Sequence, residues 1–145
     1  WGLLILFGGG LSLAAQISSS GLGIWIGNSL LILSTVPPIL LILAVATLII
    51  FLTEITSNVT TTTTFLPVFG ALAIAIGVLP VSLTVPVCLA ASCAFMLPVA
   101  TPPNAIVYGS NKFTIATMMR AGIALNIIGI IVVTMFAYFL APVIF

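Results

Sequence analysis

Apolar residues fall into five blocks, 1–17, 38–52, 64–79, 85–99 and 121–145, and the stretches between them are rich in Ser, Thr, Asn, Gly and Pro. A helix needs about 20 apolar residues to cross a bilayer. The last block meets this cleanly and predicts a transmembrane helix over 121–143. The other blocks are short or carry breakers: Gly8-Gly9-Gly10 in the first, Pro67 in the third, and Pro98, Pro102 and Pro103 around the fourth. Lipid tolerates irregular backbone only where protein buries it or where it lines a cavity. Several interrupted apolar segments in one chain point to a site built from discontinuous helices.

The pattern divides the chain into a transmembrane helix over 1–17, a connector or interfacial helix over 18–35, a re-entrant hairpin over 36–79, a broken helix over 80–110 and the final helix. The connector holds Ser18-Ser19-Ser20-Gly21, and its Trp25 suits the interface. Its Gly23-Ile-Trp-Ile-Gly27 fits GxxxG in form, and we read it as connector packing. Close helix packing is also the reading favoured for Gly8–Gly10.

Composition turns this pattern into a statement about solvent. Of 145 residues, 63% are hydrophobic and 2% are charged, namely Glu54, Lys112 and Arg120. Soluble domains carry roughly 25% charged residues, so this chain cannot coat itself for water, and the expectation is an all-α integral membrane protein. A formal charge of +1 offers no stripe for phosphate, which excludes a nucleic-acid binder. With no His and one carboxylate, hydrolytic triads and paired-carboxylate mechanisms lack their parts. Cys88 and Cys93 read as small apolar helix residues rather than a metal or disulfide pair. Trp1 opens an apolar run without an initiator Met or a basic segment, so the expectation is a piece of a larger protein. Lys112 and Arg120 bracket a segment before the final helix and place it on the cytoplasmic side, with the carboxy-terminus outside.

Two breaks carry the candidate chemistry. The first is Thr53-Glu-Ile-Thr-Ser57-Asn58-Val59-Thr60, a polar knot between apolar runs, predicted as the hairpin tip at 57–59. Ser57 and Asn58 suit helix N-caps. The free N–H groups of the next helix favour an anion. The carbonyls ending the previous helix, the Asn58 oxygen and Thr hydroxyls suit a hard cation such as Na⁺. A turn that only caps two helices fits these residues as well.

The second break is Pro98-Val-Ala100-Thr101-Pro102-Pro103-Asn104-Ala105. Pro102 restricts Thr101 to extended backbone, so a helix from Val85 must stop by Ala100. Thr101 and Pro102 then serve as N-cap and first residue of a short helix to about Ser110. Free carbonyls and free N–H groups are expected on its two sides, and a plain proline kink is the alternative. Glu54 is either functional by virtue of its depth or a brace for the hairpin tip. The five threonines 60–64 suit packing and bonding back to helix carbonyls, with Thr60 and Thr61 nearest the turn. Asn58-Val59-Thr60 fits the glycosylation sequon, but a turn at membrane depth would not be modified.

These motifs, with Phe65-Leu-Pro67, Met96-Leu-Pro98 and the leading Leu6-Phe-Gly-Gly-Gly10, resemble the divalent anion–sodium symporter family over essentially the whole chain. That resemblance implies the second of two inverted repeats, with a re-entrant hairpin bearing a Ser-Asn-Thr motif and a broken helix. It implies Na⁺-coupled symport of di- or tricarboxylates by alternating access, in a homodimer of the full-length protein at the plasma membrane. Thr53, Thr56 and Asn58 would then be sodium ligands, joined by the Ala100 carbonyl. Ser57, Asn58 and Val59 occupy the Ser-Asn-Thr position that holds a substrate carboxylate, and Thr101 and Pro102 line the same pocket. Val59 departs from the motif, because it has no hydroxyl to donate. A sodium-independent exchanger, a sulfate transporter of the same family, or a structural membrane subunit are the alternatives. An exchanger would be expected to carry a cationic side chain where Na⁺ sits, and none lies near Asn58 or Thr101 in sequence.

Overall fold

The computed structural model describes residues 36–110, 112 and 114–144, with isolated positions 12, 16, 19 and 20. The expectations for the first helix, Gly8–Gly10, the connector and Trp25 lie outside the described residues. Among the described residues the structure is helical: α1 Pro38–Thr53, α2 Asn58–Ala75, α3 Val81–Ala91, α4 Pro102–Gly109, α5 Ile115–Phe139 and α6 Ala141–Ile144.

Apolar sequence on both faces leaves tertiary packing to decide which face each helix buries. α1 buries Leu41, Ile42, Val45, Ala46, Ile49, Ile50 and Thr53, a helical stripe that runs to its last residue. Its other face keeps Leu40, Leu43, Leu48 and Phe51 exposed. α5 likewise buries Gly122, Asn126, Val133, Thr134 and Ala137, while Ile127, Ile128, Ile131 and Val132 point outward. Water would penalise such faces and lipid does not. Both α2 and α5 are long and apolar enough to cross a membrane, by length and composition. The sequence pattern credits only the last segment with this. α2 also qualifies because Pro67 sits inside the helix without ending it.

The short α3 is the hub: it packs against α1, α2 and α5, and α1 also packs on α5. Ala46, Ala73, Ala90, Ala91 and Ala137 are fully buried, so small side chains let these helices approach closely. α1 and α2 touch each other far less than each touches α3, so the two helices splay around it. α2 ends in a Schellman turn: Val78 N–H donates to the Ala73 carbonyl (2.9 Å), and Gly77 N–H donates to the Ile74 carbonyl (3.2 Å). Gly77 adopts φ +75° there, a left-handed conformation that disfavours side chains.

Three boundaries differ from the sequence expectation. The helix expected to reach Ala100 ends at Ala91, and residues 92–101 form a long non-helical loop. This places Cys93 beyond the helix end, where the sequence reading has it inside. The final helix begins at Ile115, not 121, because Thr114 caps it by accepting from Thr117 N–H (3.2 Å). Arg120 therefore lies within the helix, not ahead of it. At the other end α5 stops at Phe139, and α6 follows as a separate turn.

Candidate functional site

The α1–α2 turn and the loop 92–101 face each other across a cavity of about 500 Å³. Ser57, Asn58 and Val59 line one side; Ser92, Ala94, Phe95 and Ala100–Asn104 line the other. The structure thus brings together Ser57, Asn58, Val59, Ala100, Thr101 and Pro102, which the sequence separates into two motifs. No lining residue carries a charge.

Thr53 stands directly behind Asn58. Its Oγ lies 2.9 Å from Asn58 Oδ1 and 3.0 Å from the Ala91 carbonyl, and Thr53 is completely buried. The hydroxyl has one proton for two acceptors, so three oxygens converge with a deficit of donors. Such a cluster has the chemistry of a hard-cation half-site. Thr56 does not join it through its side chain. Its hydroxyl donates to the Leu52 carbonyl (2.9 Å) and pairs with Thr61 Oγ. Thr60 and Thr61 do not line the cavity either: Thr61 is buried against Thr56, and Thr60 is exposed. Thr62 and Thr63 bond back to the carbonyls of Asn58 and Val59, both at 2.8 Å.

The two helix starts are unequal, contrary to the expectation of free donors at each. Ser57 is the N-cap of α2 by its extended backbone, yet its side chain makes no capping bond. The first N–H groups of α2 therefore keep their donor capacity next to the cavity. α4 is capped as the sequence predicts: Thr101 accepts from Asn104 N–H, and Pro102 opens the helix. Here Pro102 and Pro103 have no N–H and Thr101 takes the next one, so this start has little left for an anion.

Three successive N–H groups of the loop before it are taken as well. Glu54 receives Phe95 N–H (2.8 Å) and Met96 N–H (2.9 Å) on Oε1, and Leu97 N–H (3.0 Å) on Oε2. Asn126 Nδ2 is the fourth donor to the carboxylate, bonding Oε1 at 2.8 Å. The brace expected at the hairpin tip instead reaches from that tip to the second break. A carboxylate is the one side chain with enough lone pairs to fill a row of three successive N–H groups. On the opposite side of this loop, Asn104 Nδ2 donates to the carbonyls of Ala94 (2.9 Å) and Leu97 (3.0 Å). Asn126 is a site-forming residue that sequence reasoning missed, and Asn104 belongs to the second break but carries no assigned role there. A lone amide in its apolar segment was the available signal for Asn126, but its partner is not near in sequence.

Comparison with known proteins bears on this geometry. A family model described as "Sodium:sulfate symporter transmembrane region" matches residues 1–145. The chain belongs to that family, the divalent anion–sodium symporter group. It is 49% identical over 98% of its length to the sodium-dependent dicarboxylate transporter SdcS of Staphylococcus saprophyticus, of which it covers 27%. It is 47% identical over 99% of its length to SdcS of Staphylococcus aureus strain MRSA252, of which it covers 28%. The chain thus spans about a quarter of the length of these relatives. Within this family the two facing breaks are the natural place to look for ligands, since Ser57, Asn58, Thr101 and Asn104 line one cavity between them.

Proposed function

We propose that this chain is part of a sodium-coupled symporter of dicarboxylates, with tricarboxylates such as citrate in the same substrate class. The observation that carries this reading is the uncharged cavity whose wall joins an oxygen cluster (Thr53, Asn58) to a helix start with free N–H groups (Asn58, Val59). A dianion in such a cavity needs positive charge, and co-bound Na⁺ supplies it without a buried basic side chain and its desolvation cost. Asn58 stands between the two ligands. Sodium bound at Thr53, Asn58 and the Ala100 carbonyl, with Thr56 left to contribute through its backbone because its hydroxyl is engaged by Leu52 and Thr61, would organise the turn that presents Asn58, Ser57 and Val59 to a carboxylate, with Thr101 and Pro102 opposite. Coupling follows, because each ligand strengthens the site of the other by the same factor.

On this reading residues 36–79 form the re-entrant hairpin of the second inverted repeat, and 80–110 form the broken helix. Transport proceeds by alternating access in a homodimer at the plasma membrane, with the carboxy-terminus outside. The names of the two relatives support sodium and dicarboxylate as the ligands. Uptake of labelled succinate by the intact parent protein, measured with and without Na⁺ and with citrate and sulfate as competitors, tests it. Uptake that needs Na⁺ and is competed by dicarboxylates is the expected result; uptake unchanged by removing Na⁺ overturns it.

A further inference from the structure

Helix α5 does not reach the cavity, yet two of its residues fix the loop that forms the far wall. Gly122 sits where the helix meets that loop. A Cβ at this position would lie 2.5 Å from Met96 Cα and 2.7 Å from Met96 N, and would also clash with the Phe95 carbonyl. These are backbone atoms and cannot swing aside, so any side chain at 122 must displace the loop. One turn further along, fully buried Asn126 donates to Glu54 Oε1 at 2.8 Å. Its own Oδ1 has no hydrogen-bond partner among the described residues.

Displacement of the loop would travel in a defined direction. Ala100 N–H donates to the Leu97 carbonyl (3.2 Å), and Asn104 Nδ2 grips the same carbonyl (3.0 Å), so Leu97, Ala100 and the start of α4 are tied together. Glu54, which holds Phe95, Met96 and Leu97, directly follows Thr53 in the chain. The bonds around Glu54 therefore set the distance between the Thr53–Asn58 oxygens on one side and Ala100 and Thr101 on the other.

We propose that Gly122 and Asn126 are positioning residues for the cation site: through the Phe95–Leu97 loop and Glu54 they hold its two halves at the spacing that Na⁺ requires. The proposal rests on the sodium-symport reading above. Sodium–oxygen geometry tolerates small errors only, and loss of partners that orient metal ligands typically costs 10–100-fold in affinity.

The test uses the full-length parent protein in membranes, with succinate uptake measured as a function of Na⁺ concentration and normalised to the amount at the surface. Gly122→Ala and Asn126→Ala are each expected to raise the half-saturating Na⁺ concentration roughly tenfold. Gly129→Ala, on the same helix, is the control, because its Cβ would meet only side-chain atoms of Cys93 at 3.6 Å and Ile50 at 3.7 Å, both ordinary contact distances. Should Gly122→Ala fail to reach the surface, Asn126→Ala carries the test alone. A purely structural role would lower the amount of protein and the maximal rate while leaving the half-saturating Na⁺ unchanged, and that result overturns the proposal. Wild-type uptake that ignores Na⁺ would instead overturn the symport reading, so the two failures are distinct.

Discussion

Thr53 shares its single hydroxyl proton between Asn58, 2.9 Å away, and the Ala91 carbonyl, 3.0 Å away. The contact joins the last residue of α1 to the first of α2 and to the end of α3. It is the point where the hub of the fold and the proposed cation site coincide.

Thr53→Val keeps the shape and removes the shared oxygen. We expect the half-saturating Na⁺ concentration for uptake to rise by at least about tenfold, while the packing of α1 on α3 survives. Titration of Na⁺-dependent uptake measures it; an unchanged sodium curve would remove Thr53 from the site.

Glu54→Gln places an amide N–H among four donors that now converge on carboxylate oxygens. Leaving buried donors unpaired costs about 1–3 kcal/mol for each group and more beside a charge. The variant protein should therefore melt well below the wild type in detergent, and protease should cut the 92–101 loop sooner. A thermal melt in detergent reads the first effect and limited proteolysis the second.

Val59 lines the cavity without a hydroxyl. Val59→Thr adds one donor at the start of α2, and a hydrogen bond to a charged group contributes about 1.5–3 kcal/mol. Part of that is lost in desolvating the new hydroxyl. A several-fold lower KM for succinate, with a smaller change for sulfate, is the expected outcome in competition uptake.

Gly77→Ala isolates a backbone term. Nothing lies within 4 Å of the added Cβ, so its cost comes from φ +75° alone and should be about 1 kcal/mol of stability. Gly109→Ala also meets nothing within 4 Å, and its φ lies outside the positive range, so it should be neutral or slightly stabilising. Thermal melts of the two purified variants provide the comparison.

Much of the site is legible along the chain. Thr101 as a cap and Pro102 as a helix start follow from local backbone chemistry, and both stand as expected. The threonines bond back to helix carbonyls for the same local reason. Residues whose role depends on a distant partner are not legible this way. Glu54 was visible as the one acid, but its ligands lie more than forty positions away, at Phe95, Met96 and Leu97. The start of α5 follows from the local Thr114 cap, whereas the end of α3 lies beside tertiary bonds that propensity does not show. α3 stops at Ala91, and the loop after it has the N–H groups of Phe95, Met96 and Leu97 bonded by Glu54 and the carbonyls of Ala94 and Leu97 bonded by Asn104.

The solvent, the helical class and the two polar breaks can be read along the chain, because they follow from composition and from backbone groups that lipid cannot satisfy. Only the tertiary structure decided that the breaks face one cavity, that Glu54 links them, and that α5 abuts the linking loop at Gly122. With apolar residues on every face, periodicity does not say which face of a helix is buried. Packing around α3 settles that, and with it the arrangement of the few polar groups.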